Sequence, residues 1–210
     1  MGQGLNCFCP TKKLDGTHLK KTLVGLLVFS FLYFTTFARN TEGFFHKREQ
    51  PLPAGQDLFK KLKIERFSEK VLAPDFTLAD LTGNRVGVGS LKGKVVFMNF
   101  WATWCVPCRQ EMPTMEKLHR EMKDQGLGVV AVNIRESPKA VQDFVDGLGL
   151  TFTVLFDREG EVSKAYGAWG IPLTYIINRK GEFVGKVMGY REWDSQEAVA
   201  FFRRLMAEKP

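Results

Sequence analysis

A chain of 210 residues has room for one domain of ordinary size and an appendage. Its 44% hydrophobic and 25% charged residues exclude a disordered chain, and four cysteines are too few for a disulfide-stapled scaffold. The net charge of +7 gives no argument for nucleic acid, because residues 1–50 alone carry +4 and the rest of the chain only +3.

Residues 1–21 are polar and basic. Thr22 to Ala38 follows, 17 residues without a charge and dense in Leu, Val and Phe. As a helix it would span roughly 25 Å against a hydrocarbon core of ~30 Å, and no side of it carries the charges of an amphipathic helix. We expect a transmembrane anchor over 22–38. Lys12, Lys13, Lys20 and Lys21 ahead of it put residues 1–21 in the cytoplasm and the remainder outside. The rival reading is a cleaved signal peptide with Thr36-Phe37-Ala38 as its small-residue site, for which a 21-residue polar leader is long. Cys7 and Cys9, with no partner beside them, read as reduced cytoplasmic thiols rather than as a metal-binding pair. A membrane in between would keep them from bridging Cys105 or Cys108.

Residues 39–72 read as a linker containing Pro51, Pro53 and Gly55. Inside it, Asp57 to Phe67 sets Leu58, Phe59 and Leu62 against Lys60, Lys61 and Lys63. That pattern fits a membrane surface, and equally a helical spacer packed on the domain.

A domain is expected over 73–210. Pro74 to Leu78 and Arg85 to Val88 flank Thr82-Gly83-Asn84 as a hairpin. Lys94 to Phe100 is an apolar strand of the kind covered on both faces of a sheet. Met112, Met115, Leu118 and Met122 recur every three or four residues, which predicts a helix from Val106 to about Asp124, ended by Gly126. Then come a buried strand (Gly128 to Ile134), a helix (Pro138 to Leu148), a short strand (Thr153 to Phe156) and a brief helix (Glu161 to Tyr166). A second hairpin joins Leu173–Ile177 to Glu182–Val187 through Asn178-Arg179-Lys180-Gly181. A last helix to about Ala207 is expected to start at Asp194 as N-cap. This order implies an α/β fold, a mixed sheet with helices on both faces.

The chemistry concentrates where the Lys94–Phe100 strand runs through Trp101-Ala102-Thr103-Trp104 into Cys105-Val106-Pro107-Cys108. A thiol at the N-terminal edge of a helix lies in an electropositive place, where its pKa can fall from ~8.5 into the range ~3.5–7.5. Cys105 is therefore expected to be the exposed nucleophile. Cys108, one turn on, is the buried resolving thiol that attacks a mixed disulfide and releases the product. Pro107 has no N–H to donate and suits a first turn. Half of a zinc site is the competing reading, but it needs two more ligands. Past the apolar segment the chain offers only His46 and His119, and His119 lies about three turns beyond Cys108. We expect no metal and no cofactor.

Asn99-Phe100-Trp101-Ala102-Thr103-Trp104-Cys105-Val106-Pro107-Cys108, together with Gly170-Ile171-Pro172-Leu173-Thr174-Tyr175, resembles the thioredoxin superfamily. More narrowly it is similar to the membrane-anchored TlpA/ResA/CcmG (DsbE) branch of thiol–disulfide oxidoreductases. The resemblance covers roughly residues 73–205. It implies a thioredoxin-like fold with an added N-terminal hairpin, and a redox-active disulfide between Cys105 and Cys108. It also implies an inner-membrane protein whose domain faces the periplasm and reduces disulfides of partner proteins, often in cytochrome c maturation. A membrane-embedded thiol reductant of the CcdA/DsbD kind would stand upstream.

By the same resemblance Pro172 is a cis-proline facing the dithiol. Ile171 ahead of it offers backbone groups to an extended substrate segment, and Trp104 and Pro107 lie on the substrate side. Leu173 departs from the Thr that often follows that proline. Thioredoxin carries Asp at the slot of Asn99, where it manages the inner cysteine's proton. Here the slot is neutral, and Glu111 matches the Glu that does this work in the ResA-like branch. Glu111 is i+3 from Cys108 and so shares its helical face; a partly buried carboxylate there would have a raised pKa and could exchange protons with the thiols. A solvated first-turn Glu is the plainer alternative. Pro113 is expected to kink the helix, Trp101 and Trp104 to frame the dithiol, and Trp169 to line the groove or belong to the core.

Two other function classes compete. A peroxiredoxin would need Thr three residues before its reactive Cys and Pro further upstream, where this chain has Ala102 and Met98. A non-catalytic anchored adaptor would have no use for both cysteines.

Overall fold

The computed structural model describes residues 57–208. The expected anchor at 22–38, the cleavage site that rivals it, and Cys7 and Cys9 all lie outside them. Among the described residues no helix is long and apolar enough to cross a membrane.

The chain enters through a single helical turn, α1 (Leu58–Lys61), which Asp57 caps by accepting from the Phe59 and Lys60 amides. Strand β1 (Glu65–Arg66) follows, then the hairpin β2 (Thr77–Asp80) and β3 (Arg85–Gly87), a 3₁₀ turn (Val88–Leu91), and β4 (Val95–Trp101). Helix α2 (Val106–Met122), β5 (Leu127–Ile134), α3 (Pro138–Leu148), β6 (Thr153–Asp157) and α4 (Glu161–Ala165) come next. The closing hairpin is β7 (Leu173–Ile177) with β8 (Phe183–Met188), and α5 (Gln196–Ala207) ends the described chain.

The strands form one sheet in the order β1-β8-β7-β4-β5-β6-β2-β3. It is mixed, as expected: β4 pairs with β5 and β5 with β6 in parallel, whereas β4–β7 and β7–β8 are antiparallel. All seven residues of β4 are buried because both faces of this central strand are covered. Val95, Phe97 and Trp101 point into one core with the apolar stripes of α2, α3 and α5. Val96, Met98 and Phe100 point into another, beneath α4 and the 3₁₀ turn. Successive β–α–β crossovers run in the same direction across the sheet, and this puts α2 and α3 on a common face.

Two boundaries differ from the sequence reading. Residues 57–72, taken for linker, belong to the domain. Leu58, Leu62 and Ile64 are buried, Phe59 meets Phe201 of α5 edge-to-face at 4.9 Å, and β1 pairs with β8. The close approach needs Gly185, where a Cβ would come within 3.0 Å of the Glu65 carbonyl oxygen and into the Ile64 side chain. The amphipathic patch at 57–67 thus lies against the domain. The cap of α5 is Ser195, whose Oγ accepts from the Ala198 amide at 3.3 Å; Asp194 pairs instead with Lys117 at 2.8 Å. Asp and Ser are equally good caps side by side, so composition could not choose between them.

Candidate active site

The central strand β4 ends at Trp101, and Ala102 to Trp104 turn the chain into α2. Cys105 occupies the N-cap of that helix, where its Sγ accepts from the Cys108 amide at 3.2 Å. Pro107 lies in the first turn, where a missing N–H costs nothing. Cys105 and Cys108 are joined by a disulfide of 2.05 Å. The exposed nucleophile expected at Cys105 is corrected: in this oxidised state only 4% of it is exposed, against 0% of Cys108. The order of accessibility is the expected one, but neither cysteine of the bonded pair is exposed. Trp104, Val106 and Pro107 stand exposed around them.

Trp101 does not frame the dithiol. It is fully buried and packs against Phe144 of α3 at 5.2 Å, which makes it core, whereas Trp104 is 68% exposed. Strand alternation separates them, since Trp101 is still in β4 and Trp104 is past its end. Trp169 is 81% exposed, so the core alternative does not hold for it.

The Ile171–Pro172 bond is cis. Antiparallel pairing of Phe100 with Leu173 puts Pro172 at the end of β7 that adjoins the end of β4, so proline and disulfide share one edge of the sheet. Pro172 is buried and its carbonyl accepts from Gly189; Ile171 is half-buried and packs against both cores.

Glu111 is wholly buried, so the solvated alternative fails. Its Oε1 accepts from Asn99 Nδ2 at 2.8 Å. Its Oε2 accepts from the indole Nε1 of Trp193 at 3.2 Å and from the Arg191 amide at 3.3 Å. Burial is the largest influence and favours the neutral acid; the three donors and the nearby Arg191 charge oppose it. The balance raises the carboxyl to about 7. Asn99 also donates to Thr174 Oγ1 of β7 at 3.0 Å. Helix α2 runs on through Pro113, which is exposed.

Sequence reasoning passed over several residues here. Trp193 anchors the segment before α5, its amide on Thr114 Oγ1 and its indole on Glu111. An indole amid Arg191, Glu192 and Asp194 was the only signal. Thr103, in the turn ahead of Cys105, is held by Glu136 beyond β5 through its amide (2.7 Å) and hydroxyl (2.5 Å). Asn133 steadies the same carboxylate at 2.7 Å. Nothing in the spacing of 103, 133 and 136 announces that contact, which depends on β4 and β5 lying side by side.

A dithiol at a helix start, a cis-proline on the same sheet edge and a buried carboxyl one turn along can exchange disulfides and move a proton. Residues 70–185 match the AhpC/TSA family. The chain belongs to that family. It is 43% identical over 125 residues to the thiol-disulfide oxidoreductase ResA of Bacillus subtilis, covering 60% of this chain and 70% of that protein. It is 40% identical over 166 residues to the thioredoxin-like protein YneN of the same organism, covering 78% and 86%. Among solved structures, a putative thiol:disulfide interchange protein DsbE from Chlorobium tepidum superposes with a TM-score of 0.60 at 34% identity, covering 67% of this chain and 98% of that one. The α/β fold is thus thioredoxin-like, and this AhpC/TSA protein is a thiol–disulfide oxidoreductase similar to ResA and DsbE proteins.

Proposed function

We propose that this oxidoreductase is tethered to the inner membrane by residues 22–38, with its N-terminus in the cytoplasm. Its domain, on the periplasmic side, reduces disulfides of partner proteins through Cys105 and Cys108. The observation that carries the reading is the disulfide at the start of α2 with Glu111 buried one turn further on. In the reduced enzyme the Cys105 thiolate attacks a partner disulfide. One sulfur–sulfur bond forms as another breaks, and one partner thiolate leaves. Cys108 then gives up its proton, for which Glu111 is the acceptor, and attacks Cys105 Sγ. The second partner thiolate departs, and the enzyme is left with the Cys105–Cys108 bond seen here. Two electrons have passed to the partner; the Cys108 proton rests on Glu111, which can return it to one departing thiolate, and the other takes its proton from water. Trp104, Pro107, Ile171 and Pro172 are the residues against which the partner segment would lie.

A membrane thiol reductant of the CcdA/DsbD kind would restore the dithiol, and apocytochrome c is the partner suggested by the ResA resemblance. The peroxiredoxin alternative is weaker because Ala102 and Met98, where it needs Thr and Pro, are buried apolar side chains.

The reduction potential of the pair tests the direction of the chemistry. A value near −270 mV is expected of a reductant, and one near −120 mV would make the protein an oxidant and overturn the reading. Sidedness has its own test. A membrane-impermeant thiol reagent is expected to label the reduced Cys105 in intact spheroplasts, and labelling only after permeabilisation would place the domain in the cytoplasm.

A further inference from the structure

Glu111 faces three donors, and their arrangement is unequal. Oε2 receives two fixed N–H groups, the Trp193 indole and the Arg191 amide, neither of which can accept a proton in return. A proton taken up by this carboxyl therefore belongs on Oε1, which faces Asn99. As oriented here, Asn99 presents an NH₂ there, and an O–H against an NH₂ makes no hydrogen bond. The same amide carries a buried oxygen, Oδ1, that has no partner at all. No hydrogen bond ties that oxygen where it is, so turning the amide breaks none on its side and brings an acceptor to the donor that Glu111 offers when neutral.

We propose that the Asn99 amide turns over with the protonation state of Glu111, donating through Nδ2 to the carboxylate and accepting through Oδ1 from the carboxylic acid. Half a turn about the terminal torsion of Asn99 exchanges the two ends of a planar group of nearly constant shape, so the packing around it is kept. Thr174 Oγ1, now accepting from Nδ2, is a hydroxyl and can donate to Oδ1 after the turn. One polar end of the amide stays unpaired in either state, so neither form gains on that count. Asn99 is thus a positioning residue that pairs with either form of Glu111 on Oε1, whereas Trp193 and Arg191 donate to Oε2 in both forms and bind the charged one more strongly. An Asp in this slot would instead set a second carboxyl against Glu111. The titratable or charged groups that act on Glu111 are Arg191 and Tyr190 on the segment after β8; Cys108 on α2, bound in the disulfide, does not titrate. With Glu111 raised to about 7, both forms are populated near neutral pH.

The inference rests on the proton-carrying role of Glu111, but its test needs no turnover, so either can fail alone. In the oxidised full-length protein the Glu111 carboxyl is followed by carbon NMR, assigned against Glu111→Gln. Trp193→Phe removes a donor that binds the carboxylate more strongly than the acid and is expected to raise the midpoint by about one pH unit, tenfold in proton affinity. Asn99→Leu removes a partner of both forms and is expected to move it by less than half as much. If Asn99→Leu raises the midpoint as far as Trp193→Phe does, Asn99 is a fixed donor and the proposal falls. Should Asn99→Leu not fold, the wild type decides. Cross-peaks between the Asn99 Nδ2 protons and the Thr174 side chain should be present at pH 9 and lost at pH 5. Their persistence at both overturns the proposal.

Discussion

Cys105→Ser is expected to lower insulin reduction by at least about 10³-fold, and Cys108→Ser to trap a covalent complex with the partner. The asymmetry follows from position on α2. Cys105 is the N-cap residue, and its Sγ already accepts from the Cys108 amide, so a thiolate there would find a donor and the positive end of a 17-residue helix. Cys108 is one turn inside, fully buried, and its amide is one of the donors rather than a recipient. Removing Cys105 takes away the attacking atom. Removing Cys108 leaves the attack but not the release, because the second thiolate is missing. Non-reducing electrophoresis after mixing each reduced variant with insulin reads this directly. A trapped complex with Cys105→Ser and none with Cys108→Ser would reverse the roles.

The segment from β4 through α2 was legible in the sequence because local rules govern it. A run of strand formers, a tight turn and a helix with a 3–4 apolar repeat need no distant partner to be recognised. The same holds for the hairpin at β7 and β8. What escaped depends on contacts remote in sequence. Residues 57–72 follow Pro51, Pro53 and Gly55 and are rich in Lys, like a linker, and only their pairing with β8 and packing on α5 make them part of the domain. Trp101 and Trp104 look alike in a Trp-x-x-Trp motif, yet one closes the core and the other faces solvent, because β4 ends between them. Glu111 could be placed on the face of Cys108 by periodicity alone. Its burial could not, since it requires Trp193 and Arg191 to fold back over it from about 80 residues further on.

That burial gives Glu111 a pH signature in stability as well as in catalysis. Its carboxyl ionises near 4.5 when free of the fold and near 7 within it, so between these values the folded state keeps a proton that the unfolded state releases. For a group raised on folding, the contribution is full below the unfolded value and is lost as pH rises through the folded one. The loss amounts to about 3 kcal/mol across that window and is complete a little above pH 7. Glu111→Gln stays neutral throughout and cannot lose it. Relative to wild type, the oxidised variant should therefore gain about 3 kcal/mol between pH 4.5 and pH 8, read as the difference between urea midpoints measured at both. Groups common to the two proteins cancel in that comparison. The same substitution should slow release of the trapped partner at pH 7 by about 10²-fold and remove the inflection near 7 from its pH profile. A pH-independent stability difference would mean that the carboxyl is not held in a dry site. An inflection that survives in Glu111→Gln would mean that another group takes the proton from Cys108; Tyr190, near Glu111, is held above the usual phenol range, first by burial and then by the charges of Glu192, Asp194 and Glu111. The carboxyl buried one turn beyond the dithiol, on the helical face of Cys108 and raised to about 7, is the group suited to that task.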